Sequence, residues 1–264
     1  MKCGCVTGYL LDKNMSAIYI LWLRQIIRFI RSKSRVFASL AQPLLYLFAL
    51  GFGFGPIYAR AGQGNYIEFL APGIICMSVL FTSISSGIEI IWDRQFGFLK
   101  ETLVAPVSRL EIMIGKTLGG ATVAIFQGIF VFGIAYLAGF RPISTNGIFL
   151  AFLIMVITGI LFTALGTAIA SLMEDMHGFQ LIMNFIVLPI FFLSGALFPL
   201  ANLPKILDII TRFDPLSYGV DGIRGALTGV YHFGAGYDIL VLCLTTTLLL
   251  VIGSILFSKI EIEA

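Results

Sequence analysis

Charge is what this sequence lacks. Asp, Glu, Lys and Arg make up only 12% of its 264 residues, about half the share a soluble domain uses to wet its surface. With 58% of its residues hydrophobic, the chain cannot cover a water-facing exterior, so its apolar side chains must face lipid or one another. Histidine is nearly absent. His177 and His232 are far apart in sequence, and nothing suggests a His-based triad or a His-rich metal centre. Four cysteines form no framework: Cys3 and Cys5 are a lone C-x-C without a second pair, and Cys76 and Cys243 sit inside apolar runs as buried small hydrophobes would. No catalytic constellation and no metal ligand set emerges, and no cofactor bound by this chain is expected.

What is abundant is uncharged helix-length sequence. A bilayer core of about 30 Å needs roughly 20 apolar residues as a helix. Six stretches free of charge meet that length, at 36–57, 69–88, 117–140, 147–173, 178–204 and 239–258. With their flanking turns they read as spans at about 36–57, 69–91, 112–140, 147–173, 178–200 and 238–258 of a single membrane domain occupying 1–264. The fold class is therefore all-α integral membrane. None of the spans opens the chain, as a cleaved signal peptide would. With the N-terminus inside, 12 Lys and Arg lie on the cytoplasmic side and 5 on the outer side. Short cytoplasmic loops accumulate these residues, so both termini are expected in the cytoplasm. The net charge of +3 then reflects topology and does not point to nucleic acid.

Three segments outside the spans carry pattern. In 16–35, Arg24, Arg28, Arg31 and Arg35 recur on one helical stripe, opposite Tyr19, Trp22, Leu23, Ile26, Phe29 and Ile30. A helix divided in this way should lie in the membrane interface, its arginines toward anionic headgroups. Residues before Met15 show no pattern, and Met15 is an alternative start. In 92–116, Pro106 breaks a charged stretch and Ser108 with Glu111 forms a capping box that opens the third span. The part before the proline, 93–105, reads as a short surface helix whose Phe96, Phe98, Leu99 and Leu103 need a partner. In 205–238, two short amphipathic helices should dip back toward the membrane. Asp214 and Pro215 start the second of these, and Asp221 and Arg224 are close enough in sequence to pair.

Two glycine motifs are set aside. Gly115-Lys116-Thr117 has Leu110 where a phosphate-binding loop needs glycine, and no strand precedes it, so ATP binding by this chain is excluded. Gly51, Gly53 and Gly55 are read as aids to close packing or bending at the end of the first span. No acidic or basic residue lies at mid-depth in any span. Ion-coupled carriers place ionisable groups there, so the energy for any transport should come from elsewhere.

The run from Trp92 to Glu101, followed by Pro106-Val107-Ser108-Arg109, resembles the cytoplasmic signature of ABC-2 type exporter permeases. Ser194-Gly195-Ala196-Leu197-Phe198-Pro199, Leu203-Pro204 and Asp214-Pro215-Leu216-Ser217-Tyr218, with Asp221 and Arg224, resemble the family's second signature. The nearest-looking subgroup exports drugs, nodulation factors and polysaccharides. One departure is Asp93, where many relatives carry glutamate. The resemblance implies a permease that is not itself an enzyme, in a prokaryotic plasma membrane, paired with a second permease chain. Each permease would be seated on a separate ATPase subunit that binds ATP and Mg. It implies a cytoplasmic coupling helix using Arg94, Phe98, Leu99, Glu101 and Pro106, and an interfacial helix using Trp22, Arg24, Arg28, Arg31 and Arg35. It further implies an outer gate of re-entrant helices built on Ser194, Gly195, Phe198, Pro199, Asp214, Pro215, Tyr218, Asp221 and Arg224. The competing readings are an ion-driven carrier, a non-transporting scaffold or sensor, and an intramembrane enzyme.

Overall fold

The computed structural model describes residues 3–60, 65–98, 107–200 and 204–258. Among these, every regular element is an α-helix: α1 (Cys3–Arg31), α2 (Lys33–Arg60), α3 (Tyr66–Ser85), α4 (Ile88–Gln95), α5 (Arg109–Leu137), α6 (Thr145–Leu172), α7 (Met176–Leu193), α8 (Lys205–Phe213), α9 (Pro215–Thr228) and α10 (Ala235–Ser258). Six stretches are long and apolar enough to cross a membrane: α2, α3 continued through α4, α5, α6, α7 and α10. The shortest has 18 residues and spans about 27 Å at the helical rise. The chain is a multi-pass membrane protein.

Local chemistry sets where the helices start. Ser108 and Glu111 cap each other's backbone at α5. Ser144 and Asp175 accept from the third residue beyond them at α6 and α7. Asp214 accepts from Leu216 N–H with Pro215 in the first turn of α9, and α9 stops at Gly229 with φ +76. Each device satisfies backbone groups that a helix end leaves open.

The core forms where α3, α5, α6, α9 and α10 meet, while α2, α7 and α10 turn much of their surface outward. Two close approaches depend on glycine. α1 lies along α5, where a Cβ on Gly119 would sit 2.7 Å from Gln25 Cβ and one on Gly115 would sit 2.9 Å from Leu21 Cβ. Gly87, in the break between α3 and α4, and Gly166 of α6 touch backbone to backbone, leaving no room for a side chain at either. We call the end of the bundle where α1, α4 and the start of α5 meet the basic end, and the end holding α8 and α9 the far end.

Several expectations change. α1 begins at Cys3, well ahead of residue 16. The segment 93–105 is not one helix: residues through Gln95 complete α4, and Gly97 turns the chain with φ +77. Residues 99–106 lie outside the described residues. Cys76 is buried as expected, but Cys243 is exposed on α10, because an apolar run in lipid need not face the protein. Gly53 and Gly55 approach nothing and do not serve close packing. α9 is buried on its polar stripe as well as its apolar one, enclosed by α3, α6 and α10, whereas α8 holds Ile206, Ile209 and Phe213 outward.

Candidate functional site

At the basic end the short helix α4 is a junction of charges. Glu89 and Asp93, one turn apart, are both buried. Glu89 accepts from Arg35 at 2.9 Å and faces Arg28 at 3.6 Å. Asp93 accepts from Arg24 at 2.9 Å and from Lys116 at 2.6 Å, with Arg28 at 3.7 Å. Trp92 lies under the guanidinium groups of Arg28 and Arg35, and Arg24 stacks 4.0 Å above Phe98. Two carboxylates thus tie together α1, α2, α4 and α5. On its other side α4 is fastened to the α6–α7 turn. Arg94 donates to Met173 O and pairs with Glu174, Gln95 donates to Glu174 O, and Trp92 Nε1 meets Met176 Sδ at 2.8 Å.

Beside this junction is a cavity of about 760 Å³, walled by α2 (from Arg35 to Pro43), α3 and α4 (from Met77 to Trp92) and α7 (from Gln180 to Leu188). Tyr46 and Phe81, the latter itself lining the cavity, meet Phe191 edge to face, with centroids 6.1 and 6.2 Å away, and Phe192 adds a fourth ring. Among the described residues, no three His, Cys, Asp or Glu side chains converge, so the arrangement offers no metal cage.

At the far end, Arg224 is buried and donates to Gly195 O at 2.9 Å, with Ala196 O at 3.5 Å, while stacking 4.0 Å above Phe69. A cation at the C-terminus of α7 meets the carbonyls and the negative end of that helix. Burial lowers the Arg224 guanidinium to about 10, offset in part by nearby Asp221. The expected Asp221–Arg224 pair does not form. Asp221 instead accepts from the backbone N–H groups of His232 and Phe233 at 2.7 Å each, which satisfies it without Arg224. Asp214 caps α9, and burial pushes its carboxyl up to about 7 against the lowering effect of Leu216 N–H and the Ser217 hydroxyl. Tyr218 donates to Arg212 O and Ser194 to Phe191 O. Phe198 and Pro199 are exposed, and Pro199 lines a second cavity, of about 510 Å³, with Asp221 and Arg224.

The structure therefore brings Trp92, Arg24, Arg28, Arg35 and Arg94 to one end, and Gly195, Asp214, Tyr218, Asp221 and Arg224 to the other. Trp22 donates to Thr122 on α5. Arg31 is exposed, without an ion-pair partner among the described residues. Leu99, Glu101 and Pro106 lie outside the described residues. The arginine stripe of α1 turns toward the α4 acids rather than outward, because two desolvated carboxylates offer closer partners than a headgroup layer. Tyr19, Ile20, Ile27 and Ile30 face outward, Ile20 and Ile27 beside the arginines and Tyr19 and Ile30 on the other side of the helix. Lys116 and Glu89 were not foreseen as site members, whereas Phe96, expected to need a partner, is 77% exposed at the tip. A lysine seven positions inside a helix that Ser108 starts is a signal available in the sequence, since so deep a charge requires a partner.

Against known proteins, the family described as ABC-2 type transporter matches residues 16–228. The chain is 30% identical over 213 residues to Nodulation protein J of Rhizobium leguminosarum bv. trifolii, covering 80% of this chain and 78% of that protein. It is 30% identical over 197 residues to the putative transport permease ycf38 of Porphyra purpurea, covering 74% and 68%. A second ycf38 protein, from Cyanophora paradoxa, is 29% identical over 228 residues, covering 84% and 77%. With six membrane-crossing helices and a family match over most of its length, this chain belongs to the ABC-2 type transporters, as a membrane subunit.

Proposed function

We propose that the chain exports an amphiphilic or hydrophobic substrate by alternating access, driven by a separate ATPase subunit seated on the basic end. The basic end faces the cytoplasm of a prokaryotic cell, and a second permease chain completes the pathway. The observation that carries this reading is the cavity walled by α2, α3, α4 and α7, which lies against the charged α4 junction of the basic half. A cavity so placed supports entry of cargo from the basic side.

Coupling follows from the position of α4. Exposed Phe96 and Phe98 stand at its tip, at the same end as α1. A subunit that grips them on closing its ATP sites would push α4. The push would pass through Glu89 and Asp93 to α1, α2 and α5, and through Arg94 to the α6–α7 turn. ATP need only favour one of two packings for the bundle to swing. The interfacial role of α1 and the gating role of α8 and α9 belong to the same proposal. The outward apolar face of α8 supports a membrane-dipping position.

Vesicles holding the chain with its ATPase subunit test the reading, using a panel of fluorescent amphiphiles. Movement should require ATP and Mg, and Phe98→Asp should abolish it while membrane insertion persists. Undiminished ATP-driven movement in Phe98→Asp vesicles would overturn the coupling. Uphill movement by the purified chain alone on an ion gradient would overturn the ATP-driven reading.

A further inference from the structure

The lining of the 760 Å³ cavity is more selective than its shape. Its ionisable side chains are Arg35 and Glu89, and they are bonded to each other at 2.9 Å. A cationic guest would have to pull Glu89 from Arg35 and Arg28, and an anionic guest would have to pull Arg35 from Glu89. Either exchange leaves a partly buried charge without its partner, which is costly. The wall therefore presents no net charge to a guest.

It presents instead four carboxamides, those of Gln25, Gln42, Gln180 and Asn184. Among the described residues none of the four has a hydrogen-bond partner within the protein. Gln25 reaches the cavity from α1, Gln42 from α2, and Gln180 and Asn184 from α7. Each carries one acceptor oxygen and two donor hydrogens. Gln25 is buried while Gln42, Gln180 and Asn184 are exposed, so the four amides are open to the donors and acceptors of a guest that enters the cavity. Between and beyond them lie Phe81, Met183, Val187 and Leu188, an apolar strip that suits a hydrocarbon tail. The volume lies within the roughly 300–1,000 Å³ of small-molecule sites.

We propose that this cavity binds the head of an uncharged amphiphile whose hydroxyl or amide groups both donate and accept hydrogen bonds, with the attached chain along the Phe81–Leu188 strip. The proposal rests on the transporter reading and narrows its substrate: amphiphiles with an ammonium or phosphate head are poor guests.

Trp92 lines the cavity, and Trp22 is the chain's other tryptophan, so Trp22→Phe leaves Trp92 as sole emitter. This variant, in phosphatidylcholine nanodiscs, is titrated with three ten-carbon probes: decyl maltoside, decyltrimethylammonium and decyl phosphate. The expected result is a saturable change in Trp92 emission with the maltoside, at least tenfold tighter than with either charged probe. Gln42 and Asn184 are exposed, so their replacement leaves the packed core intact. Gln42→Leu with Asn184→Leu should weaken the maltoside at least tenfold, and Asn184→Asp should strengthen decyltrimethylammonium relative to the maltoside. Equal or tighter binding of a charged probe overturns the proposal, as does the absence of saturable maltoside binding or an unchanged affinity in the double leucine variant. Because no ATPase is present, the two readings fail separately. Saturable maltoside binding without ATP-driven movement sinks only the transport cycle, and ATP-driven movement that favours charged heads sinks only the present proposal.

Discussion

Removing one charge from the α4 junction should cost far more than removing a surface charge of the same kind. Asp93 and Lys116 lie 2.6 Å apart with side chains 7% and 4% exposed. Asp93→Asn leaves the Lys116 ammonium buried without its counter-charge, and breaking a buried pair in this way costs about 3–5 kcal/mol. Arg24 also loses a partner, but its side chain is 30% exposed, so that loss adds less than about 1 kcal/mol. In a chain of this size the total corresponds to a fall in unfolding temperature on the order of 10 °C. Adding Lys116→Met removes the orphaned charge, and the double variant should regain most of the loss. Glu174→Gln breaks the Arg94 pair, whose carboxylate side chain is 77% exposed, and should cost under about 1 kcal/mol. Cys76 is fully buried, so a background with Cys3, Cys5 and Cys243 changed to serine reports unfolding through reaction of Cys76 with a fluorogenic maleimide. An Asp93→Asn midpoint no lower than that of Glu174→Gln would refute the reasoning, and so would a double variant no better than Asp93→Asn.

Three further outcomes follow from other parts of the bundle. The folded carboxyl of Asp214, at about 7, lies above its ordinary 3.8, so the folded state holds the extra proton. Its contribution to stability is full below pH 4 and declines as pH rises toward 7, by about 1.4 kcal/mol per unit. Asp214→Asn keeps the cap and should lose this slope, which melting curves of parent and variant at pH 5 and 8 would reveal. Asp238 is fully buried beside the Asp221 carboxylate, so Asp238→Asn, which removes a buried like charge and supplies a donor, should raise stability by about 1–3 kcal/mol; a lower melting temperature would contradict this. Gly87→Ala should cost about 1–3 kcal/mol by forcing α4 from Gly166 of α6. Gly53→Ala, in open space, should cost nothing measurable by the same assay.

The Glu89–Asp93 junction also bears on how energy would enter the bundle. Groups that titrate at mid-depth are the usual handle of an ion-driven carrier. Here the buried ion pairs gather at the basic end, while the far end holds the more exposed Arg212–Asp208 pair and keeps Arg224 on carbonyls and Asp221 on backbone N–H groups. Both ends are built to hold helices together and to move as units, which suits a bundle displaced mechanically by another subunit.

The features legible in the sequence were those decided within one turn or one span. Six crossings follow from uncharged length, because an unpaired charge in lipid is costly wherever the helix turns. The Ser108–Glu111 box and the Asp214–Pro215 start follow because the donors and acceptors involved lie within four residues of one another. Helical spacing likewise put Arg24, Arg28 and Arg31 on one face of α1, whereas Arg35, expected on the same stripe, belongs to α2 beyond the break at Ser32. What that face meets depends on how α1 rotates about α5, and this is set by the fit of Gln25 and Leu21 against Gly119 and Gly115. Tertiary packing alone therefore joined Arg24 to Asp93 across 69 residues, Arg35 to Glu89 across 54 and Lys116 to Asp93 across 23. It also parted Asp221 from Arg224 and set four carboxamides around one cavity. Periodicity tells which side chains share a face, and only the neighbouring helices determine what that face touches.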